Sequence, residues 1–152
     1  MRGFTIAAIG LALVMAVPAH AAATPDYQAA AATLAQYKHA IESRDLSGAE
    51  ALFASDAQIF ESGGIEGNFA HYRDHHLAPE LKAFKSFAYK GYKVSVRGEG
   101  DVAIVTETYS YTIVLPSDET VERNGVTTSV LKWTDGKWQI ISLHSSSRKP
   151  KV

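Results

Sequence analysis

The sequence contains no cysteine among its 152 residues, so disulfide bonds cannot contribute to its stability. Its 15 basic and 16 acidic side chains give a formal net charge of −1, which lacks the basic excess of a nucleic-acid-binding protein. It also lacks internal repeats, low-complexity tracts, a nucleophile elbow and a phosphate-binding glycine loop. With 46% hydrophobic residues, the chain is expected to be stabilised by packing alone.

The first 21 residues have the pattern of a secretory signal peptide. Arg2 supplies a positive charge, residues 4–17 form an uncharged apolar run, and Ala19-His20-Ala21 is a small-x-small cleavage site. The apolar run is too short for a comfortable membrane span. We therefore predict cleavage after Ala21, a periplasmic or secreted destination, and no membrane attachment after cleavage. An uncleaved N-terminal anchor is the alternative.

Residues 22–149 are expected to form one domain, followed by a tail at 150–152. Helical spacing of apolar residues predicts three helices, at 27–43, 46–53 and 69–84. Extended segments bounded by turn residues predict five strands, at 57–61, 87–97, 102–115, 120–133 and 137–148. Helices followed by a run of strands indicate an α+β fold, with the helices on one face of a curved antiparallel sheet.

Capping residues mark the helix starts. Asp26, Ser47 and Asn68 each stand where an N-cap is expected, and Glu50 would complete a capping box with Ser47. Pro79 lacks an N–H group, so the third helix is expected to kink or restart there.

The segment from Tyr37 to Glu61, YKHAIESRDLSGAEALFASDAQIFE, resembles the opening of the nuclear transport factor 2-like superfamily. This superfamily includes the ketosteroid isomerases, scytalone dehydratase and the SnoaL-like polyketide cyclases. The resemblance implies a cone-shaped fold in which a curved antiparallel sheet wraps around the N-terminal helices and encloses one pocket. The Trp-x-Ile and His-x-Ser patterns of the last strand are similar to SnoaL-like domains of unknown function.

The same resemblance implies two catalytic residues. Tyr37 falls where the ketosteroid isomerases place the tyrosine that donates to the substrate oxyanion, and Glu61 falls where they place the general base. A carboxylate in an apolar pocket can accept a proton, and a phenol can stabilise the oxygen that becomes negative. The isomerases add a protonated Asp from a later strand, where this sequence has only Thr and Ser at 127–129. The incomplete set disfavours steroid isomerisation. The alternatives are a core aromatic for Tyr37 and a solvated acid for Glu61.

Three histidines cluster at the centre of the third predicted helix. On an ideal helix His71 and His75 lie opposite the apolar stripe, whereas His76 lies beside it. His76 is therefore the expected inward, ligand-binding histidine. His75 takes that place if Pro79 rotates the segment.

Alternation along the last strand predicts that Ser142, His144, Ser146 and Arg148 share one face with Trp138. We expect His144 to be catalytic, and Ser146, Arg148 and Trp138 to bind the ligand. A structural histidine between helix and sheet is the alternative for His144.

Glu107 and Tyr109 share one face of the strand at 102–115 and are further expected ligand-binding residues. A carboxylate in mid-strand is costly unless it is paired or hydrated, so Glu107 is expected to pair with His144, His76 or Arg148. The alternative is an acid on the exposed face of the strand.

The last strands carry apolar residues on both faces, which predicts that a second copy of the chain covers the outer face. We therefore expect a homodimer, with a monomer as the alternative.

Three functions remain open. The first is an exported protein that binds a small, partly apolar molecule and needs no cofactor. The second is a cofactor-independent isomerase or hydro-lyase, with Glu61 or a histidine as base and Tyr37 as electrophilic donor. The third is a periplasmic metal-binding protein that uses His76, His144 and either Glu61 or Glu107.

Overall fold

The computed structural model describes residues 25–151, so the predicted signal peptide lies outside the described residues. The helical segments are α1 (Tyr27–Ser43), a 3₁₀ turn (Ala49–Leu52), α2 (Phe69–Tyr72), a π-helical turn (Arg73–Leu77) and α3 (Ala78–Ala83). The strands are β1 (Phe53–Glu61), β2 (Gly64–Gly67), β3 (Ser86–Glu99), β4 (Val102–Val114), β5 (Thr120–Thr134) and β6 (Lys137–Arg148). Within this part of the chain, no helix is both long enough and apolar enough to cross a bilayer.

Helix α1 has the predicted bounds and the predicted cap. The Asp26 side chain accepts a hydrogen bond from the backbone N–H of Gln28 at 2.9 Å. The helix ends at Arg44, which adopts a left-handed conformation with φ of 57° and donates its N–H to the last helical carbonyls. The buried face of α1 consists of Ala30, Thr33, Leu34, Tyr37, Ala40 and Ile41.

The predicted capping box at 47–50 is wrong. The Asp45 carboxylate instead accepts the backbone N–H of Ser47 at 2.9 Å, and Gly48 follows with φ of 80°. This turn delays the helical conformation, which lasts only from Ala49 to Leu52. Strand β1 then begins at Phe53, four residues earlier than predicted.

A β-hairpin that the sequence analysis missed follows β1. Ser62 and Gly63 both have positive φ and reverse the chain, so that β2 pairs antiparallel with the end of β1. The four residues of β2 include two glycines, and such a short segment carries no readable alternation.

The third predicted helix is divided into three parts. Asn68 caps α2 as predicted, accepting the N–H of His71 at 2.9 Å. The helix then widens into a π-helical turn, in which the Ala78 N–H donates to the Arg73 carbonyl five residues back. Pro79 sits at the start of α3, where its missing N–H costs little.

The six strands form one curved, unclosed sheet in the order β2-β1-β6-β5-β4-β3. All neighbouring pairs are antiparallel except β1 and β6, which run parallel. The helices pack on the concave face, where a hydrophobic core includes Leu34, Ile59, Val105, Leu131 and Ile140. This arrangement confirms the predicted α+β cone.

A β-bulge in β6 reverses the predicted facing of the second half of that strand. Leu131 of β5 pairs with Ile140, but the preceding Val130 pairs with Ser142, so Ile141 is an extra residue. A one-residue shift moves every later side chain to the opposite face. Trp138 and Ile140 are therefore buried together with Leu143, whereas His144 is exposed.

Candidate functional site

A cavity lies between the helices and the concave face of the sheet. It encloses about 120 Å³, several times what one water molecule needs, and reaches the surface. Six of the seven tyrosines of the chain line it: Tyr37, Tyr72, Tyr89, Tyr92, Tyr109 and Tyr111. Three carboxylates join them, from Glu61, Glu80 and Glu107.

Tyr37 enters the cavity from α1. Its ring packs edge-on against Phe53 and Phe69, with centroids 5.1 and 5.9 Å away. Burial, followed by the charge of Glu61, raises the pKa of Tyr37 well above its ordinary value. Its hydroxyl makes no hydrogen bond to any residue in the range 25–151 and is available to a ligand.

Glu61 stands at the end of β1, where the hairpin turns. The Tyr72 hydroxyl donates to Glu61 Oε2 at 2.5 Å, a short, charge-assisted hydrogen bond. Burial, then the nearby Tyr37 and Glu61, raises the pKa of Tyr72 far above its usual range, so the phenol stays protonated and acts as donor. Glu61 is thus held in place from one side while it borders the cavity.

His76 lies at the rim among three carboxylates. Its Nδ1 is 3.1 Å from Glu66 Oε2, and its Nε2 is 3.4 Å from Glu80 Oε1 and 4.0 Å from Glu61 Oε2. Burial lowers the pKa of His76, but the hydrogen bond to Glu66 and the surrounding negative charges outweigh this effect and raise the pKa above its ordinary value. The π-helical turn carries His76, and a strict helical repeat does not describe that turn.

Glu107 is buried at the centre of the opposite wall, only 6% exposed. Tyr92 of β3 donates a hydrogen bond to it. Burial raises the pKa of Glu107, although the Tyr92 hydroxyl opposes the effect. The predicted partners His144, His76 and Arg148 do not reach it, so that prediction is wrong.

Two further tyrosines of β4 are tied to neighbouring strands. The Tyr109 hydroxyl lies 2.8 Å from Thr127 Oγ1, and that of Tyr111 lies 2.9 Å from Ser147 Oγ. Burial raises the pKa of Tyr109 to about 12, with Thr127 opposing the rise. The Tyr109 ring lies directly over Gly125 of β5, where a Cβ atom would overlap the ring. Gly125 therefore makes room for this tyrosine.

The structure brings together several of the predicted site residues. Tyr37, Glu61, Glu107 and Tyr109 line the same cavity, and Ser146 borders it. His76 does not itself line the cavity, but it contacts Glu61 and Glu80, which do, so its role in ligand binding stays a prediction.

The other predicted site residues lie elsewhere. His144 packs against Phe60 on the outer face, because the bulge reverses the strand. Arg148 is exposed at the strand end and does not line the cavity. The expected cavity positions of both residues are therefore wrong.

Trp138 and His75 are also outside the cavity. Trp138 is a core residue whose indole N–H donates to the Asp26 carbonyl at 2.9 Å, near the start of α1. His75 is exposed and packs beside His71, with ring centroids 4.5 Å apart. The predicted ligand contacts of Trp138 and His75 are therefore wrong, since neither side chain lines the cavity.

The proposed metal ligands do not converge. His144 and His76 lie on opposite faces of the sheet, and across residues 25–151 no three acidic or histidine side chains form a group that could hold a metal ion. The metal-binding hypothesis therefore loses its ligand set.

Four of the cavity tyrosines were not predicted from the sequence: Tyr72, Tyr89, Tyr92 and Tyr111. The alternation of Tyr109 and Tyr111 along one strand was the available signal, since it places both rings on the face of Glu107. Tyr92 could not be placed in this way, because a bulge at Lys90–Lys93 breaks the alternation of β3.

Helices packed inside a curved, unclosed sheet around one cavity define the nuclear transport factor 2-like fold. A superfamily protein from Salmonella enterica has a TM-score of 0.71 at 17% identity, over 83% of this chain and 92% of its own. A candidate ketosteroid isomerase from Shewanella frigidimarina gives 0.64 at 24% identity, over 78% and 94%. The hexachlorocyclohexane dehydrochlorinase LinA-type3 of Novosphingobium barchaimii gives 0.67 at 16%, over 80% and 86%.

The sequence itself identifies the family. The model of the SnoaL-like domain matches residues 30–149, and the chain therefore belongs to the SnoaL-like domain family. No curated protein matches the chain in a sequence comparison. Since the three structures share under a quarter of their residues with this chain, their likeness concerns the fold alone.

Proposed function

We propose that the protein binds a small, partly apolar molecule in the tyrosine-lined cavity. The observation that carries this proposal is the lining itself, in which six tyrosines and three carboxylates surround space that no side chain of the described residues 25–151 fills. Binding sites for small molecules are typically concave, mostly apolar or aromatic, and equipped with a few placed polar groups. The free hydroxyl of Tyr37 and the anchored carboxylate of Glu61 are such groups.

A ligand-detected NMR screen with a fragment library tests this proposal. Ser145 lines the cavity, so Ser145→Phe should fill it and abolish the binding of cavity ligands. Ser95→Phe, an exposed position on β3, is the matched control and should leave binding unchanged. Fragments that bind equally well to wild type and Ser145→Phe would contradict the proposal.

A second candidate function is cofactor-independent proton transfer, of the isomerase or hydro-lyase type. The Tyr72–Glu61–His76 arrangement supports it, because a carboxylate at the cavity wall lies 2.5 Å from a phenol and 4.0 Å from an imidazole. Glu61 would accept a proton from the ligand, and the hydroxyl of Tyr37 would donate to the oxygen that becomes negative.

Deuterium exchange distinguishes proton transfer from binding alone. A ligand found in the screen is incubated with the protein in D₂O, and NMR follows the loss of its most acidic C–H signal. Glu61→Gln should slow exchange by roughly 10²-fold, in the range expected for a lost general base. Glu122→Gln, an exposed acid on β5, should not slow it. If the ligand exchanged as fast with Glu61→Gln as with wild type, Glu61 would be excluded as the base.

We also propose that the protein forms a homodimer through the outer face of the sheet. Ile104 and Val126 are 48% and 41% exposed, although both are large and apolar. Light scattering coupled to size exclusion should give a dimer mass for wild type and a monomer mass for Ile104→Glu. Ile65→Glu, on the β2 hairpin, should remain dimeric. A monomeric wild type would contradict this proposal.

Export to the periplasm or the medium is proposed from the N-terminal pattern alone. Expression of the full sequence in a bacterial host and N-terminal sequencing of the exported fraction should give a chain that starts at Ala22. A cytoplasmic chain that keeps Met1 would contradict it.

A further inference from the structure

We infer that the ligand of this cavity is a small organic cation, whose ammonium group sits between the tyrosine faces and the carboxylate of Glu107. This inference rests on the proposed binding function and adds the chemical class of the ligand. Three features carry it: the aromatic faces, a lysine already held against them, and a buried acid without a cationic partner.

The rings on the β3–β4 side form a continuous aromatic wall. Tyr89 packs edge-on against Tyr109 with centroids 4.8 Å apart, and Tyr92 stacks with Tyr109 at 6.1 Å. Phe87 and Tyr111 extend the wall, with their rings stacked at 5.1 Å. Such a concentration of aromatic faces attracts a cation through the ring quadrupoles, and aromatic cages are the usual receptor for quaternary ammonium groups.

One ammonium already uses this wall. Lys38 Nζ lies 5.2 Å from the centroid of Tyr89 and 5.3 Å from that of Tyr92, within the range of a cation–π interaction. Its charge is neutralised by Glu42, whose Oε2 is 2.5 Å away. Lys38 therefore shows that these faces accept an ammonium, and its pairing with Glu42 reduces its repulsion of a second one.

Glu107 supplies the negative charge for the ligand. It is buried, and among residues 25–151 it takes part in no salt bridge. By contrast, Glu61 and Glu80 share His76. A buried carboxylate without a cation is costly, so a ligand that brings a positive charge gains the most from this site. Among residues 25–151, an anionic ligand in the cavity would meet three carboxylates and only one lysine, which is already paired with Glu42.

Three probes of one shape test the inference by titration calorimetry at moderate ionic strength. They are choline, its neutral isostere 3,3-dimethylbutan-1-ol, and the anion 3,3-dimethylbutanoate. Choline should bind about tenfold more tightly than the alcohol, and the carboxylate should bind weakest, as expected for a desolvated cation–π site. An alcohol that binds as tightly as choline, or a carboxylate that binds more tightly, would overturn the inference and leave the cavity's binding function intact.

Matched variants identify the contacts. Tyr89→Leu should weaken choline binding about fivefold or more, whereas Tyr89→Phe, which keeps the ring, should bind within about twofold of wild type. Glu107→Gln keeps the shape and should lower choline affinity about tenfold without affecting the alcohol, while Glu122→Gln should change neither. Choline affinity that is unchanged in both Tyr89→Leu and Glu107→Gln would place the cation elsewhere and overturn the inference.

The cation inference and the binding function can fail separately. If choline fails to bind while a fragment occupies the cavity, only the cation inference is overturned. If nothing enters the cavity, the proposed binding function is overturned as well.

Discussion

The Tyr72 hydroxyl of α2 donates to Glu61 Oε2 of β1 across 2.5 Å. This hydrogen bond joins the helical segment to the strand on either side of the β2 hairpin, and it fixes the one carboxylate of the cavity that the family resemblance suggested as a base. Burial is the main reason that the pKa of Tyr72 lies far above its usual range, so the phenol stays protonated and acts as the donor.

Removing this donor should destabilise the fold. Tyr72→Phe leaves a half-buried carboxylate without its hydrogen bond and should lower the free energy of unfolding by about 1–2 kcal/mol, measured by urea denaturation. Tyr27→Phe is the control, because its hydroxyl makes an exposed 3.2 Å bond to the Gly100 carbonyl and should cost about 0.5 kcal/mol or less. Equal losses for both variants would refute the special role of the Tyr72–Glu61 pair.

His76 should make stability depend on pH. Its folded pKa is raised above the ordinary value of 6.5, so its contribution is fully present below that value and is lost as the pH rises through the folded pKa. Glu80, whose pKa burial also raises, acts in the same direction at lower pH. The free energy of unfolding of wild type should therefore fall from pH 6 to pH 8 more than that of His76→Gln. Parallel pH profiles for the two proteins would contradict the assignment, and the imidazole pKa can be read directly from an NMR titration.

Glu107→Gln should stabilise the ligand-free protein at alkaline pH. Burial raises the folded pKa of Glu107 above its ordinary value of 4.5, so wild type loses stability as the pH rises from that value through the folded pKa. Glutamine still accepts the Tyr92 hydrogen bond and carries no charge. The melting temperature of the variant should exceed that of wild type at pH 8, and the difference should shrink at pH 5. A lower melting temperature at both pH values would argue against a costly buried charge.

Gly125→Ala should disturb the cavity wall. The added Cβ overlaps the Tyr109 ring, so the ring must move away from Thr127, at a cost of about 1–3 kcal/mol in unfolding free energy. In a Tyr109→Ala background the same change should cost much less, since no ring crosses the glycine. A double-mutant cycle measures this coupling, and additive effects would show that Tyr109 and Gly125 do not interact.

The fold was predictable because its signals are local and redundant. Asp26 and Asn68 cap their helices as expected, and the last strand spans 137–148 as predicted. Asp135 and Gly136, with φ of 52° and 80°, form the tight turn before it, and an Asp-Gly pair is one of the strongest local signals for such a hairpin turn.

The site was harder to predict because it depends on backbone irregularities. Strict alternation places His144 with Trp138, but one extra residue separates them in the paired strand. The π-helical turn around His76 and the bulge before Tyr92 are likewise defined by tertiary pairing. Tyr37 and Tyr109 escaped this problem, since α1 is one continuous helix and β4 pairs with β5 without a register shift. Glu61 follows two register shifts in β1, and its place was implied by the family resemblance and not by strand alternation.

Ile141 is the extra residue of the β6 bulge, and the side chains beyond it face opposite to where unbroken alternation from Trp138 would place them. Downstream of it, Ser145 and Ser147 line the cavity, whereas His144 and Arg148 are exposed. Since Leu131 pairs with Ile140 and Val130 pairs with Ser142, a chain without Ile141 would form a regular ladder in which the same two serines still face the cavity. The bulge therefore lets β6 accommodate one additional residue without altering the chemistry of the cavity wall.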